Sequence, residues 1–203
     1  MSKSEQEKII SPNNHEIKFD EVSHAYTLNG VVLPSVTQIM KRLSQEYYTD
    51  INPQVIINAG KRGTKVHQAI ELYETMGVYD EQVKDYVLQY LRVKNAYKFT
   101  PLKQELMLTN GVYCGTVDMI ATLNDKLVLI DLKATSKIND ILVEVQLAGY
   151  KQLLSDNHID IEDCYVLHIT NKSGKLKKIT PNEILWKELL DETHRNIQRS
   201  IAH

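Results

Sequence analysis

Cysteine is nearly missing from this chain. Cys114 and Cys164 stand far apart, and neither belongs to a CxxC pair. That excludes a four-cysteine zinc or iron–sulfur site and points to a reduced, cytoplasmic setting. No apolar run approaches the roughly 18 residues that would signal a membrane span, so no membrane partner is expected. The first residues, MSKSEQEKIIS, are polar and lack the apolar centre of a signal peptide. Nor is there an excess of either charge. Lys and Arg number 24 against 26 Asp and Glu, a net charge of −2, so any nucleic-acid surface must be a local patch. No repeat or low-complexity segment occurs. What is present is an ordinary globular composition: 203 residues, 42% apolar and 25% charged, enough for one domain with a true core.

Taken in order, residues 1–14 are polar and expected to be loose. Ile17 to Asp20 and Ala25 to Leu33 read as short strands, the second turned at Asn29-Gly30. Ser35 and Gln38 form a capping box that opens a helix through Val36, Ile39, Met40 and Leu43. Asn52-Pro53 opens another, Gln54 to Ala59. Gly60 and Gly63 are expected to break the chain before a third helix that stops at Gly77. Asp80 caps a fourth, with Val83, Tyr86, Val87, Tyr90, Val93 and Tyr97 at helical spacing. Gln104 to Leu108 is a strand turned at Asn110-Gly111. After residue 133 come a polar loop, a helix near Ile141 to Leu154, a strand Cys164 to Thr170, and a charged edge strand Gly174 to Ile179. A last helix has Thr180 as its expected cap, with Leu185, Trp186, Leu189 and Leu190 inward. Helices before and after a mixed central sheet give an α/β class.

The stretch that organises the rest is Gly115 to Lys133, GTVDMIATLNDKLVLIDLK. Two apolar, β-branched runs flank Asn124-Asp125, which is turn chemistry. Folded as a hairpin, they bring Asp118 and Asp131 to the same end. Asp131 and Lys133 then point to one face of their strand and Leu132 to the other. Two carboxylates and a lysine gathered in this way can build a divalent-cation site; a surface hairpin with a salt bridge is the alternative. The apolar runs around both aspartates favour the buried site, because buried charge needs a partner or a metal.

These residues carry a resemblance. GTVD and IDLK, followed by Gln146-Leu-Ala-Gly-Tyr150 and preceded by Gly63-Thr-Lys-Val-His67, are similar to the motifs of the PD-(D/E)XK nuclease superfamily. The nearest branch is that of the RecB-like exonucleases, including phage exonucleases and the mitochondrial genome maintenance exonuclease. HAYTLNGVVLPSVTQIM also looks like the N-terminal segment of phage members. The resemblance implies one nuclease domain over 1–203, with 15–62 as an accessory segment and 63–203 as the core. It implies Asp118, Asp131 and the Leu132 carbonyl as metal ligands, with His67 as a further ligand from a helix. Lys133 would orient or activate the attacking water; near a metal and a phosphate its pKa is expected to fall. Gln146 and Tyr150 would line the site, Tyr150 against DNA. Glu105 matches an acid that some members carry on the preceding strand. Many members have Thr or Ser after the lysine; here Ala134 precedes Thr135.

The implied activity is hydrolysis of phosphodiester bonds from the ends of linear DNA, in phage or prophage recombination or end processing. One or two Mg2+ or Mn2+ ions would serve it, and a histidine ligand favours Mn2+. No iron–sulfur cluster is implied. A single-strand annealing protein and further copies of the chain are the partners implied. Lys61, Arg62 and Lys65, with backbone donors from a helix start at Gly63-Thr64, are expected to form a phosphate-binding edge. The competing reading is a module of the same fold that binds nucleic acid, or inhibits, without cutting. Taken alone, His67 also fits a core histidine, and Gln146 and Tyr150 fit a plain helix surface.

Overall fold

Two sheets organise the chain, and the computed structural model describes residues 9–10, 16–20 and 25–201. The first sheet is antiparallel, in the order β1 (Ile9–Ile10), β2 (Glu16–Asp20), β3 (Ala25–Leu28) and β4 (Val31–Leu33). Asn29 and Gly30 both take positive φ, 50° and 83°, as a tight hairpin of this hand requires. Of the stretch expected to be loose, residues 1–8 and 11–14 lie outside the described residues, while Ile9–Ile10 pairs with β2.

The expected capping box is present: Ser35 Oγ accepts from Gln38 N–H, and Gln38 Oε1 accepts from Ser35 N–H. The helix it opens is interrupted at Met40, giving α1 (Val36–Ile39) and α2 (Lys41–Tyr48). A larger departure follows. The two short helices expected on either side of Gly60 and Gly63 are one, α3 (Pro53–Met76), 24 residues long. Asn52 caps it and Pro53 opens it, so its start is fixed ten residues before Gly63. Each interior glycine costs a helix about 1 kcal/mol, which burial of Val66, Ala69 and Ile70 outweighs. Gly63-Thr64 is therefore not a helix start and offers no free backbone donors. Asp80 caps a single 3₁₀ turn, Glu81–Val83, that leads into α4 (Lys84–Tyr97).

The second sheet holds β5 (Thr100–Thr109), β6 (Cys114–Leu123), β7 (Lys126–Lys133), β8 (Asp163–Ile169) and β9 (Gly174–Ile179), in that spatial order. Every neighbouring pair is antiparallel except β7–β8, which is parallel and connected through α5 (Asp140–Asp156). Asn139 caps α5, and β9 lies at the edge as expected. The final helix is α6 (Glu183–Ile201). Its first-turn acceptor is Asn182 Oδ1, which takes Leu185 N–H at 3.1 Å, rather than the expected Thr180.

Helices cover both faces of this sheet. Val36, Leu147, Leu153 and Trp186 from α1, α5 and α6 pack with Val117, Leu129 and Val166 on one face. Val66, Ile70, Val87 and Tyr90 from α3 and α4 pack with Met119, Ile130 and Leu132 on the other. The chain is thus a mixed α/β protein whose central sheet is sandwiched between helices. Alternation along β7 sends Leu132 toward α3 and α4, as with Val128 and Ile130. Asp131 and Lys133 point the other way, toward α5. The first sheet is joined to the second where Cys114 N–H donates to Pro34 O at 3.0 Å.

Candidate functional site

The β6–β7 hairpin closes through Asn124 and Asp125, at φ of 51° and 62°. Both residues take the left-handed conformation that such a turn demands, without a glycine. Its register runs from Leu123↔Lys126 back to Met119↔Ile130. Beyond that pair the side chain of Asp118 takes over a backbone role. Its Oδ2 accepts Leu132 N–H at 2.7 Å. Asp118 is thereby fixed against the end of β7.

Helix α3 brings His67 over the same strand end. His67 Nε2 lies 3.0 Å from Leu132 O, and Nδ1 lies 3.2 Å from Glu105 Oε1 and 3.8 Å from Asp118 Oδ1. Glu105 reaches this position from inside β5 with φ of 47°, a left-handed backbone that an extended strand does not otherwise contain. Ligand atoms of His67, Glu105 and Asp118 all fall within 4.8 Å of one another. Nitrogen plus two carboxylates at this spacing can hold a divalent cation, with the Leu132 carbonyl beside them.

On the other side of β7, Lys133 and Asp131 form a buried pair. Lys133 Nζ donates to Asp131 Oδ1 and to Gln146 Oε1, each at 2.9 Å. Gln146 Nε2 in turn donates to Tyr150 OH at 3.1 Å. Asp131 Oδ2 lies 2.8 Å from the same ammonium yet has no aligned hydrogen-bond partner among the described residues. The ammonium neutralises its charge, and the Asp131 side chain is fully buried. Tyr150 is 5% exposed, so it does not present its ring to a substrate as expected; it braces Gln146 from beneath. Gly115 makes that packing possible, because a Cβ there would meet Tyr150 Cε1 at 2.8 Å.

Electrostatics follow from this burial. Desolvation raises the Asp118 carboxyl, and it pushes Asp131 up to about 6 against the pull of Lys133. In the metal-free chain Lys133 moves upward. Burial alone would lower it, but Asp131 and then Asp118 hold it above the ordinary lysine value. Burial would likewise lower His67, but Asp118, followed by Glu105, outweighs it and raises the imidazole to about 9. The metal-free protein therefore carries an imidazolium at neutral pH, which must lose its proton to ligate a cation. Titration of Mn2+ at pH 7 in two buffers of different ionisation heat is expected to release about one proton per ion. Apparent affinity should rise as pH climbs toward the His67 value of about 9. Identical heats in both buffers would remove His67 from the ligand set.

The expected basic edge is only partly assembled. Arg62 Nε donates to Ala134 O at 3.2 Å, tying α3 to the strand end, and Lys65 Nζ donates to Gln82 Oε1 at 2.9 Å. Lys61 is exposed and has no side-chain partner among the described residues. Apart from Lys61 and Arg62 at its end, sequence patterns assign no side chain of the accessory segment to the site. Yet Thr37, Met40, Ser44 and Tyr48 line a cavity whose other wall includes Lys133 and Gln146. The only sequence signal for it is the adjacent pair Tyr47-Tyr48, which is weak by itself.

No family model matches the chain, and no curated protein matches it. Among solved structures, the crystal structure of SSO0001 is similar at 16% identity and a TM-score of 0.40, over 79% of this chain and 74% of that one. A protein from Eubacterium rectale named "Putative exonuclease" is similar at 12% identity and a TM-score of 0.48. That match covers 68% of this chain and 65% of that one. Likenesses this remote say nothing of activity, so the site is read from its own residues.

Proposed function

We propose that this chain is a divalent-metal-dependent deoxyribonuclease of the PD-(D/E)XK type that works from the ends of linear DNA. The observation that supports it most is the convergence of His67, Glu105 and Asp118, with the buried Asp131–Lys133 pair on the neighbouring strand. The first three side chains would hold the cation, joined by Asp131 and the Leu132 carbonyl as the resemblance implies. When bound, a divalent ion supplies charge neutralisation at the phosphoryl group and makes water a better nucleophile.

The chain's own groups do the rest. Lys133 has three donors and directs two of them at Asp131 and Gln146, leaving one for the attacking water or a phosphoryl oxygen. Asp131 and then Asp118 raise its pKa in the metal-free chain, which suits it to orient water and stabilise charge as an ammonium. Gln146 is held by Lys133 on one side and Tyr150 on the other, which fixes the ammonium's direction. Tyr150 is a positioning residue: burial first, then Asp118 and Asp131, keep its hydroxyl neutral.

Incubation with Mn2+ or Mg2+ and end-labelled DNA tests this reading. Linear duplex should be degraded, covalently closed circles spared, and chelation should stop the reaction. Circles cut as fast as linear DNA would make the enzyme an endonuclease. Failure to cut either, with DNA still bound, would favour the binding module.

A further inference from the structure

We propose that the cavity between α1–α2 and the β7–α5 connection receives the terminal nucleoside of the strand, so that cleavage releases one nucleotide at a time. This rests on the nuclease reading above.

The cavity measures about 240 Å³ and opens onto Lys133 and Gln146. An occupant is therefore continuous with whatever phosphate those two side chains face. Its walls suit a base. Met40 and Leu142 are buried and present apolar surface, and Tyr48 stands at the mouth with 38% of its area exposed. A thioether and a phenol ring are good partners for a flat aromatic face.

Several polar side chains around it are already engaged. Ser44 Oγ donates to Lys41 O, Thr135 Oγ1 donates to Lys137 O, and Asn139 Oδ1 accepts Leu142 N–H. Little is left to read a base edge, so the cavity should accept all four bases. Lys137 is exposed with no side-chain partner among the described residues, a free cation for the strand's phosphate.

Size and position set the register. Pockets for drug-sized ligands run to about 300–1,000 Å³, so this one takes a single base and not a stacked pair. The far wall is held in place. Val36, Ile39 and Met40 pack into the core against α5, and Arg42 pairs with Glu192 of α6 at 2.9 Å. A strand end lodged in the cavity would abut that wall, which would give end-dependence a structural cause.

Ser44→Trp would fill the cavity from α2, which supplies none of the side chains assigned to the cation. Deoxyadenosine monophosphate titrated calorimetrically into the metal-free chain should bind, and Ser44→Trp should weaken it at least tenfold with Mn2+ affinity and melting temperature unchanged. Equal binding by the variant would overturn the proposal. Because a bulky replacement can disturb packing, Tyr48→Ala serves as the second variant. It should raise KM for linear DNA several-fold with little change in kcat, and an unchanged KM would count against the cavity. With Mn2+, the main product from labelled linear DNA should be mononucleotides of all four bases. Longer products would overturn the cavity assignment while leaving the nuclease reading intact. No digestion by the parent chain would overturn the nuclease reading, and the nucleotide titration would still decide the cavity.

Discussion

Asp118→Asn is expected to lower DNA hydrolysis by about 10³-fold while the chain remains folded. The change is isosteric. An amide oxygen at the same place can still accept Leu132 N–H, the bond that holds Asp118 to the end of β7 at 2.7 Å. The negative charge is what disappears, from a group in which three ligand atoms lie within 4.8 Å. A cation held there loses one of its carboxylates. A second consequence sets this apart from a general loss of fit. Asp118 is the foremost influence raising the His67 imidazole, so that group should fall from about 9 toward its ordinary value. Fewer protons should then be released on Mn2+ binding at pH 7, alongside weaker binding. Calorimetry, turnover and a melting curve on the same preparation separate these effects. Turnover like that of the parent would show that Asp118 does not serve the reaction.

Lys133→Met should be equally damaging to turnover and, unlike Asp118→Asn, should also destabilise the fold by about 3 kcal/mol near pH 8. The Asp131 side chain is fully buried, and Lys133 is its charge partner. Removing the ammonium leaves a carboxylate in the interior with nothing to offset its desolvation. The pH dependence has a definite sign. In the native chain Asp131 titrates near 6, above its ordinary 3.8, so the folded state holds that proton more tightly than the unfolded state. Its contribution is present in full below about pH 4 and is lost as pH rises through 6. Without Lys133 the folded value climbs further, so the penalty should be small at pH 5 and large at pH 8. Urea denaturation of parent and variant at both pH values measures it. Adding Asp131→Asn to Lys133→Met should recover much of the stability and none of the activity. An additive double variant would mean that the two side chains are not coupled in the folded protein.

The parts of this site that depend on short-range chemistry are legible in the sequence. Alternation around Asn124-Asp125 defines the β6–β7 hairpin, and spacing by two puts Asp131 and Lys133 on one face. The capping box at Ser35 and Gln38 rests on the same kind of local chemistry, and it forms. The departures come where distant packing overrides a local signal. Gly60 and Gly63 read as a break, but burial of the helix face beyond them carries α3 straight through. Tyr150 is expected against DNA from the likeness of Gln146 to Tyr150 to a family motif, while Gly115, far away in sequence, clears the space that buries it. The raised pKa of Lys133 needs both aspartates in place, which composition does not convey. Tyr48 and Met40 join the cavity only because the accessory segment folds back onto α5.

The left-handed backbone at Glu105 bears on how this position can vary. A non-glycine residue in that conformation costs on the order of 1–3 kcal/mol, and Gly or Asn would occupy it with less strain. A chain shaped by stability alone would be driven toward those residues. Carrying Glu there trades thermal robustness for a carboxylate set against His67. In a random library, selection for survival on heating and selection for activity should therefore pull residue 105 in opposite directions, whereas at Leu129 or Val166, deep in the core, the two pressures coincide.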